Sequence, residues 1–164
     1  MPRYLYLLRH AQSAEKQDGQ TDRDRNLTHL GMKQSLLVAQ FLKEQKSIPE
    51  MIMTSVAERA KETTHLIADA FNYDPDRIMV QEELYDASTR TFLEFIRQLD
   101  DNLYHVMCVG HNPAISYLGE YLTKSEIGEM VPAGISILKF NLKSWKEANE
   151  GTAELVVYRA PENN

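Results

Sequence analysis

The sequence predicts an α/β protein, a three-layer α/β/α sandwich around a mostly parallel central sheet with at least one antiparallel strand. Three observations carry this. Short apolar runs alternate four times with stretches of helical period. The last two apolar runs, 135–141 and 153–159, follow one another with only a charged connection between them, through Trp145. That places an antiparallel member in the terminal pair. At 164 residues and 43% hydrophobic content the chain suits one domain, 1–164, with a full core.

The elements follow in order. Tyr4–Leu8 is short, apolar and aromatic-rich, so it reads as a buried strand. Residues 12–26 hold Lys16, Asp18, Asp22, Arg23, Asp24 and Arg25 without apolar periodicity, and read as a long loop. Thr28 is a helix N-cap, and Leu30, Leu37, Val38, Phe41 and Leu42 share one face of a helix ending near Lys46. Met51–Thr54 is a second strand. Ser55 and Glu58 have capping-box spacing before a helix whose stripe is Ala60, Thr64, Ile67, Ala68 and Phe71. Arg77–Gln81 is a third strand, Glu82–Asp86 a loop, and Phe92, Phe95, Ile96 and Leu99 mark a third helix starting near Ser88. Tyr104–Val109 is the next strand. Asn112 is then an N-cap, with Pro113 at the favoured first helical position. Pro161–Asn164 reads as a frayed tail. The order of strands in the sheet is not readable.

Composition narrows the function classes. A net charge of −6 argues against a general nucleic-acid surface. The single cysteine, Cys108, falls mid-strand and reads as a buried, inert thiol. No apolar stretch reaches membrane-spanning length and no secretory leader pattern is present, so the cytoplasm is the expected compartment and no membrane partner is expected.

Two strings carry chemistry first: Leu7-Leu8-Arg9-His10-Ala11 and Val109-Gly110-His111-Asn112-Pro113. Each is a strand that breaks off at a histidine. Carboxyl ends of strands are where open α/β sheets place ligands. Two histidines and an arginine on one edge suggest an anion site with a nucleophile in it. A metal site from His10, His111 and Glu83 is a poor alternative, because ligand spacing is wanting and arginines would repel the cation. The phosphate-loop pattern Gly-x-x-x-x-Gly-Lys is absent. His29, His65 and His105 read as structural.

Two further strings, Arg25-Asn26-Leu27-Thr28-His29-Leu30-Gly31 and Ser55-Val56-Ala57-Glu58-Arg59-Ala60-Lys61-Glu62-Thr63, complete an ordered set. Together the four strings resemble the histidine phosphatase superfamily, the phosphoglycerate-mutase-like enzymes. The resemblance covers residues 5 to about 122. Length and segment spacing look most like the small SixA-type phosphohistidine phosphatases. It implies a phosphoglycerate-mutase-like fold without helical lid insertions. It further implies His10 as nucleophile, and Arg9, Arg25 and Arg59 around the phosphoryl group. His111 would hydrogen-bond a phosphoryl oxygen, and the helix start at Asn112 would add phosphate-binding N–H groups. Glu83 lies where the family's proton donor is often found. No metal and no cofactor are implied.

The chain departs from the pattern at Ala11, where many members have Gly, and at Val56, where many have Pro. Only short segments separate the motifs, so the pocket should be shallow and open. The expected activity is hydrolysis of protein phosphohistidine through a phosphohistidine intermediate at His10. The alternatives are a phosphatase for small phosphorylated molecules and a non-catalytic module that binds phosphorylated proteins.

Overall fold

The computed structural model describes residues 1–161. Six strands form one sheet: β1 (Arg3–Arg9), β2 (Met51–Ser55), β3 (Met79–Gln81), β4 (His105–Gly110), β5 (Ile135–Phe140) and β6 (Ala153–Arg159). Their spatial order is β3-β2-β4-β1-β5-β6. The first four run parallel. β5 runs antiparallel to β1, and β6 antiparallel to β5. The terminal pair therefore supplies the antiparallel member, as its spacing predicts, and β5 is the strand that opposes the rest.

Among the described residues four α-helices cover the sheet: α1 (His29–Glu44), α2 (Glu58–Ala70), α3 (Thr89–Arg97) and α4 (Ala114–Thr123). Strand side chains alternate between two cores, as the pleat requires. Leu5, Leu7, Val106 and Cys108 face α3 and α4 through Phe92, Ile96, Ile115 and Leu118. Tyr6, Leu8, Met107 and Val109 face α1 and α2 through Val38, Leu42, Ala60 and Ile67. Both faces are buried, which explains why β1 and β4 read as continuous apolar runs. Cys108 is fully buried, and burial pushes its thiol up to about 12.

One cap is as the sequence predicts: Thr28 accepts from Gly31 N at the start of α1. The third helix starts where its stripe predicts, and there Ser88 accepts from Thr91 N. Two caps are corrected. Ser55 does not cap α2; it remains in β2, and Ala57 holds the cap position. Asn112 does not cap α4, which begins at Ala114 after Pro113. β3 is shorter than its apolar run, because Pro75–Arg77 folds as a 3-10 turn whose Asp74 cap accepts from Asp76 N. The expected tail at 161–164 lies outside the described residues from 162 onward.

The loop after β1 is pinned close to α1. Gln12 O accepts from Thr28 N at 3.1 Å, and Gln12 N donates to Gln34 Oε1 at 3.0 Å. This approach needs a glycine at 31: a Cβ there would lie 2.1 Å from Gln12 O, a backbone atom with no room to give. Gly31→Ala should therefore destabilise the protein by about 1–3 kcal/mol despite alanine's better helix propensity. Urea denaturation checks it, with a lowered midpoint at unchanged slope as the expected outcome.

Candidate active site

The site is a product of strand register. Arg9 of β1 pairs with Gly110 of β4, so the next residues, His10 and His111, leave the sheet side by side. Their ring centroids are 5.0 Å apart. β2 ends beside β4 at Ser55, and the first turn of α2 carries Arg59 to the same edge. The loop after β1 adds Ser13, Asp22 and Arg25, and the segment after β3 adds Tyr85 and Asp86. These side chains, with Arg9 and Asn112, line a cleft of about 380 Å³ at the carboxyl end of the parallel strands.

His10 is 7% exposed. Its Nδ1 lies 2.8 Å from Ala11 O. A carbonyl oxygen only accepts, so in the neutral ring Nδ1 carries the proton and Nε2 carries the lone pair. Burial, reinforced by Arg59, Arg9 and Arg25, lowers the His10 pKa to about 4, against the opposing pull of the Ala11 hydrogen bond. The ring is therefore neutral at physiological pH. Ala11 is fully buried and its N–H donates to Thr63 Oγ1 at 3.0 Å, which fixes the backbone that holds the ring.

His111 Nε2 lies 2.8 Å from Ser55 Oγ, which also accepts from Ala57 N at 3.2 Å. Burial, then the charges of its neighbours, lowers the His111 pKa to about 3. Arg59 is 5% exposed. Its Nη1 donates to Asp22 O at 2.7 Å and its Nη2 to Asp22 Oδ2 at 3.0 Å. Arg25 donates through Nε to Asp22 Oδ1 at 3.0 Å and through Nη1 to Ser13 Oγ at 3.1 Å. Arg9 donates to Met130 O at 2.8 Å. The Nε groups of Arg9 and Arg59 are buried without an acceptor among the described residues. Three guanidinium groups thus surround a neutral imidazole with a free lone pair. Among the described residues no cluster of His, Cys, Asp and Glu has the makings of a metal site.

Residues 5–92 match the sequence profile of the histidine phosphatase superfamily (branch 1). The chain belongs to that superfamily. An uncharacterised protein of Mycobacterium tuberculosis (strain H37Rv) is 32% identical, the match covering 94% of this chain and 99% of the relative. Among solved structures, one provisionally assigned as the phosphohistidine phosphatase SixA from Agrobacterium tumefaciens superposes with a TM-score of 0.83 at 27% identity. That match covers 98% of this chain and 99% of the other. The protein histidine phosphatase SixA complexed with tungstate shares the fold, with a TM-score of 0.82 at 23% identity over 96% of this chain and 97% of the other. The SixA-type resemblance read from the four strings is in agreement with these matches, and the phosphoglycerate-mutase-like fold is observed.

Within this histidine phosphatase cleft the structure brings together Arg9, His10, Arg25, Arg59, His111 and Asn112. Glu83 is not among the lining side chains. It lies exposed on the 3-10 turn Glu82–Leu84, apart from the other site residues expected from the sequence. Asn112 lines the cleft with its amide engaged elsewhere: Nδ2 donates to Met130 O at 2.8 Å, and Oδ1 accepts from Ser116 Oγ at 2.6 Å. It ties the 130 loop to α4. The helix N-terminus expected beside His111 begins at Ala114, and His111 O already accepts from Ile115 N.

Sequence reasoning missed Ser55, Asp22 and Tyr85 as parts of the site. Tyr85 donates its hydroxyl to the Asp22 carboxylate and packs edge-on against His111 at 5.6 Å. The signal for Asp22 was its position three residues before Arg25, a spacing that suits an ion pair.

The depressed pKa values make a prediction with a definite sign. Both histidines have folded values below the ordinary 6.5, near 4 for His10 and near 3 for His111. As pH falls below 6.5 the unfolded chain takes up protons that the folded state refuses, so stability declines from there down to the folded values. Above 6.5 the two groups contribute no slope. NMR titration should show both rings neutral at pH 6. Denaturation between pH 7 and 4 should show a stability loss that His10→Gln and His111→Gln each reduce.

Proposed function

We propose that this histidine phosphatase hydrolyses phosphohistidine on proteins through a phosphorylated His10. The observation that supports it is the His10 tautomer: Nδ1–H is committed to Ala11 O, which leaves Nε2 as a lone pair in a cleft walled by guanidinium groups. Phosphoryl transfer asks chiefly for positioning and for neutralisation of charge on the equatorial oxygens. Arg9, Arg25 and Arg59 supply that positive charge, which is why we propose a reaction without a metal. In the first step Nε2 attacks phosphorus as the bond to the leaving group breaks. In the second, water attacks the phosphohistidine, releasing inorganic phosphate and returning the lone pair to Nε2.

The phosphohistidine assignment draws on three supports. The Agrobacterium tumefaciens relative carries that provisional assignment. The cleft is open, with no helical insertion over it among the described residues, and so admits a phosphoryl group carried on a protein surface. The carboxyl that faces the arginines is no proton donor: the Tyr85 hydroxyl and Arg59 hold Asp22 well below the usual carboxylate range, outweighing the burial that pushes it up. An alkyl phosphate expels an alkoxide and needs a proton donor. Phosphohistidine expels an imidazole, which takes a proton readily from water. A soluble, cytoplasmic setting fits such a substrate, and no helix among the described residues is long and apolar enough to cross a membrane.

His10→Ala should abolish turnover while leaving the far-ultraviolet circular dichroism unchanged. Rapid quenching of the wild type during turnover should trap an acid-labile, base-stable phosphoenzyme, and peptide mapping should place the phosphate on His10. Label on another residue would return the site to a binding module or a different chemistry.

A second measurement addresses the substrate. kcat/KM for a phosphohistidine protein or phosphoramidate should exceed that for alkyl phosphates, and chelating agents should leave both rates unchanged. A preference for alkyl phosphates would assign the protein as a small-molecule phosphomonoesterase.

A further inference from the structure

Asp22 stands out in the cleft, because it is an acid where an anion is to be bound. Its two carboxylate oxygens and its backbone carbonyl take donors from Arg59, Arg25 and Tyr85. Both terminal nitrogens of Arg59 are turned to this one residue. Two guanidinium groups and a hydroxyl converging on an oxyanion are the donor set that also suits a phosphoryl group. Yet the clamp is lightly held. The Asp22 side chain is 52% exposed while that of Arg59 is 6% exposed, so the carboxylate has water to return to and the arginine does not. Asp22 sits on the turn 22–24 of a long loop whose cap is local, Thr21 with Asp24. Its attachment to the far wall runs through Tyr85 and the Arg23–Glu82 ion pair.

We propose that Asp22 is an internal competitor for the phosphoryl group, its carboxylate holding the arginines until a stronger anion displaces it. This rests on the reading of the cleft as a phosphoryl site. The exchange keeps Arg59 and Arg25 paired in the free enzyme, where two cations beside two buried imidazoles would otherwise repel. It also weakens the binding of every anion by one common factor, because the competent state is only a fraction of the population. Ambient phosphate, the product of the reaction, is the anion whose retention this limits. An ion pair that is half-exposed is worth little per contact, so the common factor should be on the order of tenfold rather than a thousandfold.

Calorimetric titration of inorganic phosphate and of orthovanadate into the intact protein at pH 7 tests the proposal. Asp22→Asn and Asp22→Ala should each tighten both ligands on the order of tenfold, and by the same factor for each. Asp86→Asn is the control for general charge removal, since Asp86 lines the same cleft without an ion pair to the arginines among the described residues. It should tighten binding clearly less. Weakened binding in the Asp22 variants would overturn the proposal and show Asp22 to be a positioning residue for the arginines. Equal tightening in Asp86→Asn would overturn it in favour of a simple field effect. Absence of binding by the wild type and all variants would overturn both this proposal and the phosphoryl-site reading, whereas wild-type binding with unaltered variants would remove the competitor alone.

Discussion

The interaction on which the site depends is the burial of guanidinium groups beside two imidazoles. Arg59 is almost fully buried, and Arg9 half so, at the edge of the sheet where His10 and His111 emerge. Cations at that depth need acceptors, or the desolvation is not recovered. Much of the local architecture can be read as their supply. The 130 loop turns Met130 O towards Arg9, and the loop after β1 folds Asp22 over Arg59. Burial keeps both rings unprotonated and the same cations reinforce it, so the charge that would bind an anion also helps leave His10 Nε2 with a lone pair.

The sheet topology makes that burial possible. β1 and β4 are far apart in sequence but adjacent in space, parallel, and in a register that pairs Arg9 with Gly110. A one-residue slip would turn every side chain of β1 to the opposite core. Leu7 and Leu8 belong to different cores, so the slip would place Leu8 among the partners of Leu7 and move His10 away from His111. The position of the two histidines is thus fixed by packing some distance below them. Glycine at 31 performs a related service, letting the backbone at Gln12 lie against α1 and launching the loop that returns Asp22 and Arg25 to the cleft.

Elements defined by local pattern were legible in the sequence. Thr28 caps where a short hydroxyl side chain precedes a helical stripe, the third helix starts near Ser88 as its stripe implies, and the two-sided apolar runs of β1 and β4 announce a buried parallel sheet. Ser55 and Asn112 show where that logic fails. Each is a short polar residue just before a helix, and the same signature serves a side chain that reaches across to His111 or to Met130. Strand order was illegible because it is set by pairings between distant segments. Asp22 and Tyr85 were illegible for a different reason: a polar side chain in a loop looks solvated until the fold shows what faces it, the buried Arg59 for Asp22 and the Asp22 carboxylate for Tyr85. Glu83 was the reverse case. Its neighbours Leu84 and Tyr85 do turn inward, one to the core and one to the cleft, and the tight 3-10 turn leaves the acid between them and Glu82 facing water.

That outward acid bears on how the site divides its work. With Glu83 outside, the cleft is lined by two neutral imidazoles, three guanidinium groups, Asp22, Asp86 and Tyr85. Tyr85 is spent on Asp22, and burial raises its pKa further from neutrality, so it is a poor source of a proton at pH 7. A cleft of this kind stabilises an anion strongly and protonates a leaving group weakly. The demand for a proton then passes to the leaving group and to solvent, and an open, unlidded cleft is the arrangement that lets solvent meet it.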